Sequence, residues 1–175
     1  MKDANMLRLI AAMLADIHAS TDAGRDSGLN GGLVRDLLWK GHEWALAWEY
    51  GGLFEEEPED PDVEYVTSVL TMWRAIEDSY AALSETEREE LARRVARLPP
   101  EGPQFEGFDA NTESRCYGIA RVLVEDLGRY EEFAKRKLNS HHTTSHAYQA
   151  QLRTYEQLGS PVSLKLDQIA QLLTP

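Results

Sequence analysis

The stretch DVEYVTSVLTMWRAIEDSY, residues 62–80, decides the fold class. Val63, Val66, Leu70, Trp73, Ile76 and Tyr80 recur at three- and four-residue steps, and Glu64, Arg74, Glu77 and Asp78 fall outside that stripe. A period near 3.6 builds a helix with one apolar face, whereas a half-buried strand alternates at every second residue. Asp60-Pro61 precedes the stripe and puts proline at the first helical position, where its missing N–H leaves nothing unpaired.

Towards the N-terminus, residues 55–62 are acidic, carry Pro58 and Pro61, and read as a solvated linker. Before them, Val34, Leu37, Gly41, Trp44 and Trp48 predict a helix from about Gly32 to about Tyr50, stopped by Gly51-Gly52. Trp39 is displaced from that inner stripe and is the candidate interface residue, since tryptophan is favoured at interface centres. Ser20 to Gly32 is rich in turn formers and reads as a loop. Met6, Ile10, Met13, Leu14 and Ile17 form the stripe of a first helix, with Arg8 and Asp16 off it and Asn5 as its expected N-cap.

Towards the C-terminus, Ser84-Glu85-Thr86-Glu87 matches a capping box for a short helix faced by Leu91, Val95 and Leu98 and ended by Pro99-Pro100. After a loop rich in proline and glycine, Asp109 is expected to cap a long fifth helix carrying Cys116, Ile119, Ala120, Leu123, Leu127 and Tyr130. Ser145 is the expected cap of a sixth helix with Tyr148, Leu152 and Tyr155, closed by Gly159. Leu166, Ile169, Leu172 and Leu173 make a seventh. No segment alternates like a strand, so the expectation is a single all-α domain over residues 1–175, with about seven helices and no substantial sheet.

Composition narrows the function classes. The 175 residues hold 18 Lys and Arg against 30 Asp and Glu, a net charge of −12, which repels a phosphate backbone. Arg8, Arg25, Arg35 and Lys40 are too thin a footprint for an N-terminal helix-turn-helix on nucleic acid. No signal peptide and no bilayer-spanning run is evident, and Cys116 has no second cysteine to pair with. A cytoplasmic protein that binds neither membrane nor nucleic acid is expected.

Residues 107–115, GFDANTESR, followed by Gly118, by Gly128-Arg129-Tyr130 and by Phe133, resemble the signature of the YfbU-like family of bacterial proteins. The resemblance extends to Asn139-Ser140-His141 and to Tyr148-Gln149 with Leu152, and is weakest in the second helix and the acidic linker. It implies a helical fold throughout and assigns no reaction, ligand or catalytic residue.

The polar residues that carry this resemblance, Asp109, Glu113, Arg115, Arg129, Tyr130 and His141, form the candidate polar site. Glu113 and Arg115 stand two apart on a helix and point apart, so their expected partners lie on other helices. Caps and inter-helix salt bridges explain the group better than an anion site at a helix N-terminus. His141, His142 and His146 offer metal-type donors but lack a nearby carboxylate or cysteine to complete a set. Glu87-x-x-Glu90 with Glu106-x-x-Asp109 resembles the paired acids of helical Mg²⁺ pyrophosphohydrolases, yet Glu106 falls in a loop. Cys116 lies on an apolar stripe and reads as core. With no metal, cofactor or complete catalytic set expected, the chain reads as a self-associating interaction or regulatory module, a homo-oligomer. The alternative is an enzyme or small-ligand receptor built on the polar site.

Overall fold

The computed structural model describes residues 2–21, 28–54, 60–96 and 98–174. Among them are eight α-helices and no strand: α1 (Lys2–Ala19), α2 (Gly31–Lys40), α3 (Trp44–Glu49), α4 (Pro61–Ala82), α5 (Glu85–Arg94), α6 (Ser114–Arg121), α7 (Ser145–Gln157) and α8 (Leu166–Leu173). The chain is all-α, as its periodicity predicts. It forms two compact units, residues 1–60 and 61–175. Residues 55–59 of the expected acidic linker and 22–27 of the expected loop lie outside the described residues.

In the first unit, α1 begins ahead of Asn5, which sits inside the helix and does not cap it. Asn30 caps α2, its Oδ1 accepting the Leu33 amide at 3.0 Å. The expected helix from Gly32 to Tyr50 is two helices. Gly41 takes a left-handed φ of 74°, and the His42 amide folds back to the Leu37 carbonyl at 2.9 Å, which ends α2. Periodicity places Gly41 on the stripe and makes Gly51-Gly52 the stop; in the structure those two open a 3₁₀ turn, Gly51–Leu53. Trp44 and Trp48 stand edge to face, ring centroids 5.8 Å apart.

The packing of α1 on α2 reverses the expected stripe. A Cβ on Gly31 would stand 2.5 Å from the Ala15 carbonyl oxygen and 2.9 Å from the Ala19 nitrogen, so the two backbones nearly touch there. Ala12 and Ala15 are buried in that seam. Arg8 pairs with Glu43, and Asp16 with Arg35 at 2.8 Å, beside the seam. At 100° per residue the large apolar side chains lie on the other side of the helix. Met6, Leu7, Leu9, Ile10, Met13, Leu14 and Ile17 are 44–66% exposed.

The second unit is built round α4, whose Val63, Val66, Val69, Leu70, Met72, Trp73 and Ile76 are buried. The capping box opens α5 as expected, with Ser84 N donating to Glu87 Oε2 at 2.8 Å. Phe105 comes from the loop before α6 and packs on Trp73, Phe108, Phe133 and Tyr148 at centroid distances of 5.2–6.3 Å. Glu77 of α4 locks this loop. Its Oε1 accepts the Phe105 amide at 2.7 Å while both carboxylate oxygens pair with Arg136 at 2.6 and 2.7 Å.

Replacing Gly31 with Val is predicted to force α1 off α2 and to cost about 1–3 kcal/mol by overpacking. Hydrogen exchange of the α1 amides should accelerate, whereas Gly51→Ala, whose new Cβ meets nothing within 4 Å, should leave it unchanged.

Candidate functional site

The loop from Gly107 to Glu113 is shaped by one close approach. Gly107 has φ 88°, and a Cβ there would lie 2.0 Å from the Leu138 carbonyl oxygen. Phe108 and Asn139 consequently bridge, Phe108 N donating to Leu138 O at 3.0 Å and Ser140 N to Phe108 O at 3.3 Å. Asp109, 6% exposed, then closes a tight turn: Oδ1 accepts the Asn111 amide at 3.1 Å and Oδ2 the Thr112 hydroxyl at 2.7 Å. The long helix expected to start at Asp109 therefore starts at Ser114, after this turn. It passes into a π turn at Val122–Asp126 and stops at Gly128, where φ is 60°.

Glu113 is the centre of the cluster. Its Oε1 accepts the amides of Ser145 at 2.7 Å and Thr144 at 3.1 Å, and its Oε2 accepts the Asp109 amide at 2.9 Å. The first two are orphan donors at the start of α7, so a carboxylate from the residue just before α6 supplies the cap expected of Ser145. Ser145 is itself the first helical residue, and Thr144 at the cap position makes no side-chain cap bond. Thr144 Oγ1 lies 3.0 Å from the Gly107 carbonyl oxygen, which ties the α7 start to the glycine loop.

Electrostatics follow from this geometry. Burial alone would raise the Glu113 pKa, but the hydrogen bonds from Ser145, Asp109 and Thr144 outweigh it and hold the carboxyl below its ordinary 4.5. The Thr112 hydroxyl, then the Asn111 amide, hold Asp109 below its ordinary 3.8. Both are carboxylates with their oxygens occupied by donors of the fold.

The other expected site residues have different partners. Arg115 pairs with Asp62 at the start of α4. Tyr130 is buried, its hydroxyl 3.1 Å from Thr71 Oγ1 and 3.3 Å from the Thr67 carbonyl oxygen, with the Arg74 guanidinium 4.6 Å over its ring. Arg129 is exposed, and its amide donates to the Leu123 carbonyl at 2.8 Å. His141 is exposed at a left-handed φ of 58°, and its amide shares Asn139 Oδ1 with that of Ala110, both at 3.1 Å. Asp109, Glu113 and the His141 backbone thus come together, while Arg115 and Tyr130 engage other stretches of α4. Sequence reasoning misses Asn139 and Thr144 as the acceptor and donor that complete these contacts. Thr144 is visible in the sequence only as part of a loop running into a helix.

The weaker motifs resolve into local contacts. Glu87 serves the capping box, Glu90 pairs with Arg94 at 2.8 Å, and Glu106 pairs with His142 at 3.1 Å. Cys116 is half-buried, and burial pushes its thiol up to about 11. Among the described residues no group of His, Cys, Asp and Glu could hold a metal ion, and no helix is long and apolar enough to cross a membrane. The largest unexplained feature is the outward face of α1, accompanied in the same unit by Trp39 at 72% exposure.

Glu113→Gln keeps one acceptor oxygen and turns the other into a donor facing donors, which predicts a loss of about 2–3 kcal/mol near neutral pH. Because the folded pKa is depressed, the Glu113 contribution is full above its unfolded value and vanishes as pH falls through the folded one. Urea denaturation from pH 7 downwards should show wild type losing more stability than Glu113→Gln, and the two curves should converge at the acid end.

The YfbU domain model matches residues 3–174, which spans both units. The chain is also similar to UPF0304 protein MJECS11 of Methanocaldococcus jannaschii, 23% identical over 143 residues that make up 78% of this chain and 80% of that protein. With its helical fold and nearly its whole length matched, the chain belongs to the YfbU family.

Proposed function

We propose that the protein is an interaction or regulatory module that acts by self-association, as a homodimer in the cytoplasm. The observation that carries this reading is the outward apolar face of α1, seven large side chains on one side of one helix. Monomeric proteins rarely expose a contiguous patch beyond about 300–600 Å², and larger ones mark interaction sites. Trp39 adds an aromatic anchor to the same unit. The net charge of −12 argues against nucleic acid as the partner, and the apolar character of the face argues for protein. No catalytic residue, metal or cofactor belongs to this reading.

The alternative, an enzyme or small-ligand receptor at Asp109, Glu113, Arg115, Arg129, Tyr130 and His141, has less support. Asp109 and Glu113 engage their oxygens with backbone and hydroxyl donors, the first in closing a tight turn and the second in capping α7. Light scattering during size exclusion separates the two readings. The expected mass is twice the 19.8 kDa of the chain, falling to the single mass in Leu14→Glu, which places a charge in the face. A wild-type monomer at every concentration would refute self-association.

A further inference from the structure

The face of α1 has a symmetry of its own. Six of the seven exposed large apolar positions, Met6, Leu9, Ile10, Met13, Leu14 and Ile17, map onto one another when the helix is reversed about the point between Ala11 and Ala12, while Leu7, at the edge of the face, exchanges with Asp16. Met6 exchanges with Ile17, Leu9 with Leu14, and Ile10 with Met13. An isologous two-fold contact sets residue i of one copy against residue j of the other and j against i, so these exchanges put apolar side chains opposite apolar side chains. Resting on the self-association reading above, we infer that the occupant of this face is α1 of a second copy, lying antiparallel, so that the two α1–α2 pairs form a four-helix bundle.

Three observations favour this occupant. The seven side chains, at 44–66% exposure, offer on the order of 700 Å² per copy, close to the roughly 800 Å² per partner of a standard interface. The charged side chains nearest the packed side are already paired within the copy, Arg8 with Glu43 and Asp16 with Arg35, so the seam of large residues is clear of them. A lipid surface fits poorly: a helix lying in an anionic membrane carries an excess of basic residues on its polar face, whereas in α1 Lys2 and Arg8 are balanced by Asp3 and Asp16, on a chain of charge −12. In the bundle, α1 is covered on both sides. Ala12 and Ala15 meet α2 of their own copy, and the large residues meet the second α1.

Disulfide trapping in a Cys116→Ser background tests the pairing. Met6→Cys and Ile17→Cys are made as separate proteins, mixed, allowed to exchange and oxidised with copper phenanthroline. In the antiparallel pair position 6 of one copy faces position 17 of the other, so the mixture should give covalent dimers up to the statistical share of mixed pairs. Each protein alone should give almost none, because like positions stand about 16 Å apart along the helices, beyond the roughly 7 Å Cα limit of a disulfide. Self-crosslinking of each protein alone would show a parallel pair and overturn the inference. A doubled mass with no crosslink in any combination would also overturn it while leaving self-association standing. A monomer that binds phosphatidylglycerol vesicles through α1 would remove both.

Discussion

The near-contact of two backbones at Gly31 governs the first unit. With the position where a Cβ would sit only 2.5 Å from the Ala15 carbonyl oxygen, no side chain fits between α1 and α2 at that level. Ala12 and Ala15 take the inner side because they are small, and Arg8 and Asp16 flank it because each finds an opposite charge on the α2–α3 segment. The large apolar residues of α1 are then left outside by helical geometry. An exposed hydrophobic face here is the geometric complement of a tight inner seam. Its contiguity distinguishes it from the scattered apolar residues of any protein surface.

In the second unit the corresponding constraint is the Glu113 carboxylate. It joins three segments with one side chain: the turn closed by Asp109, the start of α6 and the start of α7. Gly107 permits the loop to approach Leu138, and Glu77 with Arg136 holds Phe105 among the aromatic rings. The most specific stretch of the sequence, residues 107–115, therefore has a structural explanation. Its polar residues satisfy donors that a helical core would otherwise bury unpaired.

Much of the fold is legible in the order of the residues. The 3.6 period over residues 62–80, proline at the first position of α4 and the Ser84–Glu87 capping box are local signals, and each appears at its expected place. The misreadings share a cause. Gly41 reads as part of a stripe because its left-handed conformation is invisible to periodicity, and Asp109 reads as a helix cap because a tight turn uses the same carboxylate chemistry. The direction of the α1 stripe is not legible, since periodicity tells which residues share a face but not which face meets the neighbouring helix. Similarly, spacing directs Glu113 towards another helix, but no local pattern names Thr144 and Ser145 as its partners.

If the outward face of α1 joins two copies, as proposed, isotope-filtered NOE spectroscopy on a mixture of ¹³C-methyl-labelled and unlabelled protein detects the junction. Intermolecular contacts are predicted between the Ile10 and Met13 methyl groups, and between those of Met6 and Ile17. A mixture in which these methyls give no intermolecular contact, or in which all intermolecular contacts arise from residues 61–175, would contradict it.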